Sequence, residues 1–154
     1  MASIVSLQPH EFTADVILPV FEEVNSAVPK DRDVYLDIDY VVRQWQDLGN
    51  KRLTATWAAV VDDEIVGLLG ALFIFEFWSG LPMAMEQFWF VLEEHRKGGT
   101  ALRLFREFEK EAIRRKCQTV WVGANTFHNP EKMARVYGKK GFELWGQNFR
   151  KIIR

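Results

Sequence analysis

Two adjacent glycines, Gly98 and Gly99, separate the apolar run Met83–Leu92 from the amphipathic stretch Ala101–Lys116, and this junction constrains the fold more than any other part of the chain. The run before it is dense in aromatic and aliphatic residues and reads as a strand. In the stretch after it, Leu102, Phe105, Phe108, Ala112 and Ile113 form one apolar stripe while Arg103, Arg106, Glu107, Lys110 and Arg114 lie elsewhere, the pattern of a helix. A helix opened by glycines leaves its first N–H groups without intrahelical partners and facing the turn. The helix dipole makes that end positive, the first turn holds no acidic residue, and Arg96 and Lys97 stand beside it as mobile positive charge. The segment Arg96-Lys97-Gly98-Gly99-Thr100-Ala101 therefore suits a phosphate or pyrophosphate; a tight strand-to-helix turn with solvated basic residues is the plainer reading. Neither GxxxxGK[ST] nor GxGxxG occurs, so a P-loop or Rossmann site has nothing to stand on.

The remaining elements follow from periodicity and punctuation. Ile4–Leu7 is a short strand ended by Pro9, and Pro9 to about Ala27 is helical in pattern, with a kink or restart expected at Pro19. A second helix covers about Leu36–Leu48 and stops at Gly49-Asn50. Thr54–Val61 and Ile65–Phe77 make a β-hairpin around Asp62-Asp63, and Ser79-Gly80-Leu81-Pro82 breaks the chain before the Met83 strand. Thr119–Gly123 is a short strand. Asn129-Pro130-Glu131 supplies cap, first-position proline and first-turn acid for a helix that runs to about Lys140 and stops at Gly141; Phe142–Ile153 is the last strand. The order is β-α-α-β-β-β-α-β-α-β, a mixed α+β (α/β) class with a central, mostly antiparallel sheet, expected to form one domain over residues 1–154.

Composition removes several function classes. A formal charge of −1 argues against a dedicated nucleic-acid binder, and the single Cys117 excludes an internal disulfide and a cysteine-built metal site. His10, His95 and His128 are scattered, so no metal is implied. The uncharged stretch between Glu64 and Glu76 is too short for a membrane helix, and Met1-Ala2-Ser3-Ile4-Val5 reads as a strand, not a signal peptide; a cytoplasmic protein with no membrane partner is expected.

The stretch Trp89-Phe90-Val91-Leu92-Glu93-Glu94-His95-Arg96-Lys97-Gly98-Gly99-Thr100-Ala101 resembles motif A of the GNAT superfamily of N-acetyltransferases, in which a valine precedes [RQ]xxGx[GA] by five residues. Arg96, Gly99 and Ala101 match that pattern, and Glu93 stands where the family often has proline. Met133-Ala134-Arg135-Val136-Tyr137-Gly138-Lys139-Lys140-Gly141-Phe142-Glu143 resembles the family's later helix ending in tyrosine, followed by glycine-phenylalanine. The match covers roughly residues 55 to 153. The resemblance implies a twisted sheet with splayed middle strands, and acetyl-CoA as co-substrate. It assigns the pantetheine arm to the backbone of Phe90 and Val91, and the pyrophosphate to the N–H groups of Lys97, Gly98, Gly99, Thr100 and Ala101 beside Arg96. Asn129 would bind the cofactor arm as well as cap its helix, and Tyr137 would protonate the departing thiolate.

The implied reaction is direct attack of a primary amine on the thioester in a ternary complex. An amine of pKa about 10 is largely protonated at neutral pH, a deficit of roughly 4 kcal/mol, so a base or a desolvated site is needed. Glu86 is the first candidate and Glu76 the second, each with a solvent-facing strand position as the plainer reading. Asp31, Asp33, Asp37 and Asp39 would attract a cationic amine or simply flank a helix start. Phe73, Phe75, Phe77, Trp78, Phe88, Trp89 and Phe90 alternate to both faces of their strands, so beyond the core they are covered by helices, line an acceptor cleft or form a homodimer contact. Two other readings stay open: a CoA-binding domain without catalysis, and a protein-interaction module using these aromatics.

Overall fold

Among the described residues five strands lie side by side in chain order: β1 (Ser3–Leu7), β2 (Thr54–Val61), β3 (Glu64–Phe75), β4 (Pro82–Val91) and β5 (Thr119–Trp121). The first four pair antiparallel, and β5 joins β4 in parallel. This computed structural model describes residues 1–27, 36–123 and 129–146. It divides into two units, Met1–Gly123 and Ala124–Arg154. The whole sheet belongs to the first.

Helices α1 (Ala14–Ala27) and α2 (Ile38–Asn50) pack on one face of the sheet, and α3 (Thr100–Arg114) packs on the other. Phe12, Ile17, Val20 and Trp45 meet Ala58 and Leu68 of the sheet on the first face. Phe88 of β4 joins them, its ring centroid 5.0 Å from Trp45, 5.5 Å from Phe21 and 5.9 Å from Phe12. On the second face Phe105 lies 4.8 Å from Trp89 and 5.7 Å from Phe108. Adjacent residues Phe88 and Trp89 thus serve opposite cores, as strand alternation requires. The aromatic density that left three uses open is spent mainly on helix packing, whereas Phe75, Phe77 and Trp78 at the end of the β3–β4 hairpin are exposed.

Local chemistry accounts for the boundaries. Asp62 and Asp63 take φ of 49° and 65°, the paired left-handed conformations of a tight two-residue hairpin turn. Pro9–Glu11 forms a separate 3-10 turn, closed by Gln8 N–H donating to the Glu11 carboxylate at 2.6 Å, so α1 begins at Ala14 and not at Pro9. Thr13 carbonyl accepts from Ile17 N–H to open that helix. Pro19 lies six residues in, and the helix continues through it to Ala27 without a restart. β3 ends at Phe75, two residues short of expectation, because Glu76 N–H and carbonyl turn to Leu81 and Gly80.

In the second unit, α4 (Pro130–Lys139) starts as its sequence indicates: Asn129 Oδ1 accepts from Lys132 N–H at 3.1 Å, and Pro130 occupies the first turn. It stops with Gly141 at φ 85°, and Phe142 N–H donates to the Tyr137 carbonyl. The expected last strand begins with residues 142–146, which carry no strand pairing; the rest of it lies outside the described residues.

Candidate active site

The site begins where β4 and β5 part. Among the described residues their pairing is confined to Met83–Thr119, Ala84–Val120 and Met85–Trp121, while β4 continues to Val91. Six residues of β4 follow the last of these pairs.

A bulge decides which backbone groups face the gap. At the start of β4, the Pro82 carbonyl accepts from Gln118 N–H at 2.7 Å, on the β5 side. Just past its end, Leu92 N–H donates to the Val66 carbonyl at 2.9 Å, on the β3 side. Residues an even number apart should face the same way, so the phase has slipped once. The slip lies where Ala71 pairs with Glu86 and Gly70 with Phe88, leaving Gln87 as the extra residue. Beyond it, the backbone of Trp89 and Val91 turns away from β3 into the gap. Two glycines of β3 let the shifted strand lie close: a Cβ on Gly70 would stand 2.1 Å from Phe88 Cζ, and one on Gly67 2.9 Å from Val91 Cγ2. Phe90, two residues before Leu92, turns its backbone to β3, so of the pair expected to hold a pantetheine arm only Val91 has its backbone directed away from β3.

Glu86 stands immediately after the last residue of β4 paired with β5. Its Oε2 accepts from Gly123 N–H at 3.1 Å, spanning from β4 to the chain that leaves β5. Burial raises its pKa above the usual carboxyl value, and the Gly123 N–H offsets part of that rise. A desolvated carboxylate of raised pKa is a stronger base than an exposed one. Glu76, the second candidate, has its carboxylate on the Ser79 hydroxyl inside the hairpin turn. Its role there is structural.

Downstream, Gly98 and Gly99 have φ of 91° and 80°, a conformation L side chains rarely adopt, and Gly99 caps α3 with no side-chain hydrogen bond to the helix. No acid enters the first turn, Thr100 is buried, and Lys97 is exposed. The unpaired N–H groups of the first turn and the open space over both glycines make a place for an anion. Arg96 differs from the mobile charge expected of it. Its Nε donates to the Val91 carbonyl at 2.8 Å, its Nη2 to Glu23 Oε1 at 3.0 Å, and its guanidinium lies 4.9 Å from the Phe90 ring centre.

Tyr137 and Asn129 belong to the second unit. Tyr137 is the buried residue of α4, with its ring 5.7 Å from Phe142, and Asn129 is engaged as the helix cap. Asp37 caps α2 through Tyr40 N–H at 2.9 Å; Asp31, Asp33 and His128 lie outside the described residues. Burial pushes the Cys117 thiol up, which keeps it protonated and a poor nucleophile. Among the described residues, no group of three or more His, Cys, Asp or Glu could hold a metal ion, and no helix is long and apolar enough to cross a membrane.

This geometry agrees with a comparison of sequences: the Acetyltransferase (GNAT) family model matches residues 18–142. The chain belongs to the GNAT acetyltransferase family. A search of curated proteins finds no match. Solved structures with this GNAT fold include a ribosomal-protein-alanine N-acetyltransferase from Brucella melitensis biovar Abortus 2308, at TM-score 0.71 and 19% identity over 100% of this chain and 99% of that one. An aminoglycoside acetyltransferase from an uncultured soil metagenomic sample, in complex with trehalose, gives TM-score 0.76 and 18% identity over 99% and 97%. A predicted acetyltransferase from Clostridium acetobutylicum with acetyl-CoA gives TM-score 0.76 and 16% identity over 99% and 96%.

Reasoning from sequence missed three participants: Glu23, Gln87 and the Gly123 N–H. Glu23 lies 73 residues from Arg96, and no local pattern marks it. The bulge at Gln87 is hidden because apolar residues follow it without a break.

Proposed function

We propose that this GNAT protein transfers acetyl from acetyl-CoA to a primary amine by direct attack in a ternary complex, with residues 1–154 acting as one domain. The single observation that carries the reading is the gap beside β4, lined by the Val91 backbone and continued by the glycine-opened, acid-free start of α3. The family assignment supports acetyl transfer, and the neighbour holding acetyl-CoA supports the donor.

In this reading Val91 holds the pantetheine arm through its backbone N–H in strand fashion, its carbonyl being engaged by Arg96 Nε. The N–H groups from Lys97 to Ala101 hold the pyrophosphate, aided by the helix dipole. Acetyl-CoA supplies an electrophilic thioester carbon and a thiolate leaving group. Glu86 accepts the proton of the incoming ammonium, directly or through water, and its burial strengthens it for that task. Tyr137 is assigned the proton for the departing thiolate on its motif context alone. Asn129 caps α4, and an added contact to the cofactor arm remains part of the proposal. Cys117, held as a thiol, gives no covalent acetyl-enzyme. Thiol release from acetyl-CoA across a panel of small amines, amino acids and peptide amines tests this: amine-dependent release with an acetylated product is expected. Saturable acetyl-CoA binding with no release for any amine would leave a non-catalytic CoA-binding domain.

A further inference from the structure

The segment from Leu92 to Gly99 has to hold the N–H groups of α3 in place, yet its two glycines contribute no side chain to fix it. Its start is fixed through one carboxylate on another element. Glu23, near the end of α1, accepts at a single oxygen from Glu93 N–H at 3.0 Å and from Arg96 Nη2 at 3.0 Å. Arg96 extends the connection, because its Nε donates to the Val91 carbonyl at 2.8 Å. One carboxylate and one guanidinium thus join three pieces: α1, the end of β4 and the loop leading to α3.

Resting on the acetyl-CoA reading above, we infer that Glu23 is a positioning residue for the cofactor's phosphates, holding Arg96 and the Glu93 backbone so that the α3 N–H groups stand where the pyrophosphate binds. Arg96 is the second half of that brace and turns Nε and Nη2 to protein oxygens. Its positive charge also offsets the Glu23 carboxylate, which alone would repel an anion nearby. Both side chains are partly exposed, 34% for Glu23 and 41% for Arg96, and ion pairs so exposed add little to global stability. The brace therefore acts on local geometry, because N–H donors moved about 1 Å from their place no longer lie within hydrogen-bond distance of a phosphate oxygen.

The test compares acetyl-CoA with S-acetylpantetheine, which lacks the pyrophosphate and nucleotide, in wild type, Glu23→Ala and Glu23→Gln. For Glu23→Ala, KM and calorimetric Kd for acetyl-CoA rise on the order of tenfold while kcat stays within about twofold. KM for S-acetylpantetheine does not change, and the ligand-free melting temperature stays within about 2 °C of wild type. Glu23→Gln keeps an oxygen for Glu93 N–H and Arg96, and recovers most of the acetyl-CoA affinity. Tighter acetyl-CoA binding in Glu23→Ala would overturn the inference, because Arg96 would then be a phosphate ligand that Glu23 holds back. Unchanged affinity, or equal weakening toward both thioesters, would overturn it as well. Failure of the wild type to bind acetyl-CoA, or to prefer it over S-acetylpantetheine, would retire the cofactor reading itself, and is read before any variant.

Discussion

Gly70→Ala is the sharpest probe of how the site strand is seated. The added methyl carbon would stand 2.1, 2.4 and 2.7 Å from Cζ, Cε1 and Cε2 of Phe88, against ordinary carbon contacts of about 3.5 Å. The ring must therefore retreat by more than about 1 Å, and it is enclosed by Phe12, Phe21 and Trp45. Overpacking of this kind costs about 1–3 kcal/mol, and spoiling one or two aromatic contacts adds about 0.5–1.5 kcal/mol each. We expect a loss of about 3 kcal/mol, which for a chain of 154 residues lowers the melting temperature by about 6–12 °C. Urea unfolding and thermal melts read this directly. The double variant Gly70→Ala with Phe88→Leu should be less destabilised than the sum of the two singles by about 1 kcal/mol or more, since the smaller side chain relieves the overlap. A Gly70→Ala protein within about 0.5 kcal/mol of wild type, or strict additivity in the pair, would refute the packing argument.

Two further predictions concern proton transfer. Because burial raises the Glu86 pKa, the folded state binds that proton more tightly than the unfolded chain, and Glu86 costs stability as pH rises above the usual value of 4.5. Glu86→Gln, which keeps an oxygen for Gly123 N–H, should therefore melt higher than wild type at pH 7 to 8, with the gap closing below about pH 4.5; a variant less stable at pH 7 would contradict the sign. The same substitution should lower kcat on the order of a hundredfold and flatten its rise with pH if Glu86 is the base. Tyr137→Phe should slow turnover on the order of a hundredfold while leaving acetyl-CoA affinity within about twofold; weakened binding with undiminished saturated turnover would show that the hydroxyl serves the cofactor and not the leaving group.

The element order through α4, the hairpin at Asp62-Asp63, the helix behind Gly99 and the cap at Asn129 were legible because each rests on local chemistry: left-handed turns, periodic stripes and caps. The place of Arg96 was not, since its partner Glu23 comes from a helix far away in sequence. Pro19 brings no restart because a proline within a helix forfeits one hydrogen bond, and packing of Ile17 and Val20 beside it holds the helix together. The phase of β4 was hidden for a different reason. The apolar runs on either side of Glu86-Gln87 carry no period, so the extra residue at Gln87 shows only in the register with β3. That slip turns Val91, and not Phe90, into the gap. Glu86 could be named from its place before the motif, but its bond to Gly123 and its burial depend on where β5 ends.

The central claim is that the gap beside β4 and the glycine-opened start of α3 bind acetyl-CoA together, and titration calorimetry tests it most directly. Wild type should bind acetyl-CoA at one saturable site. Gly99→Val, which forces a β-branched residue into a backbone at φ 80°, should bind on the order of tenfold more weakly or worse. No binding to the wild type, or equal affinity in a folded Gly99→Val protein, would contradict the account.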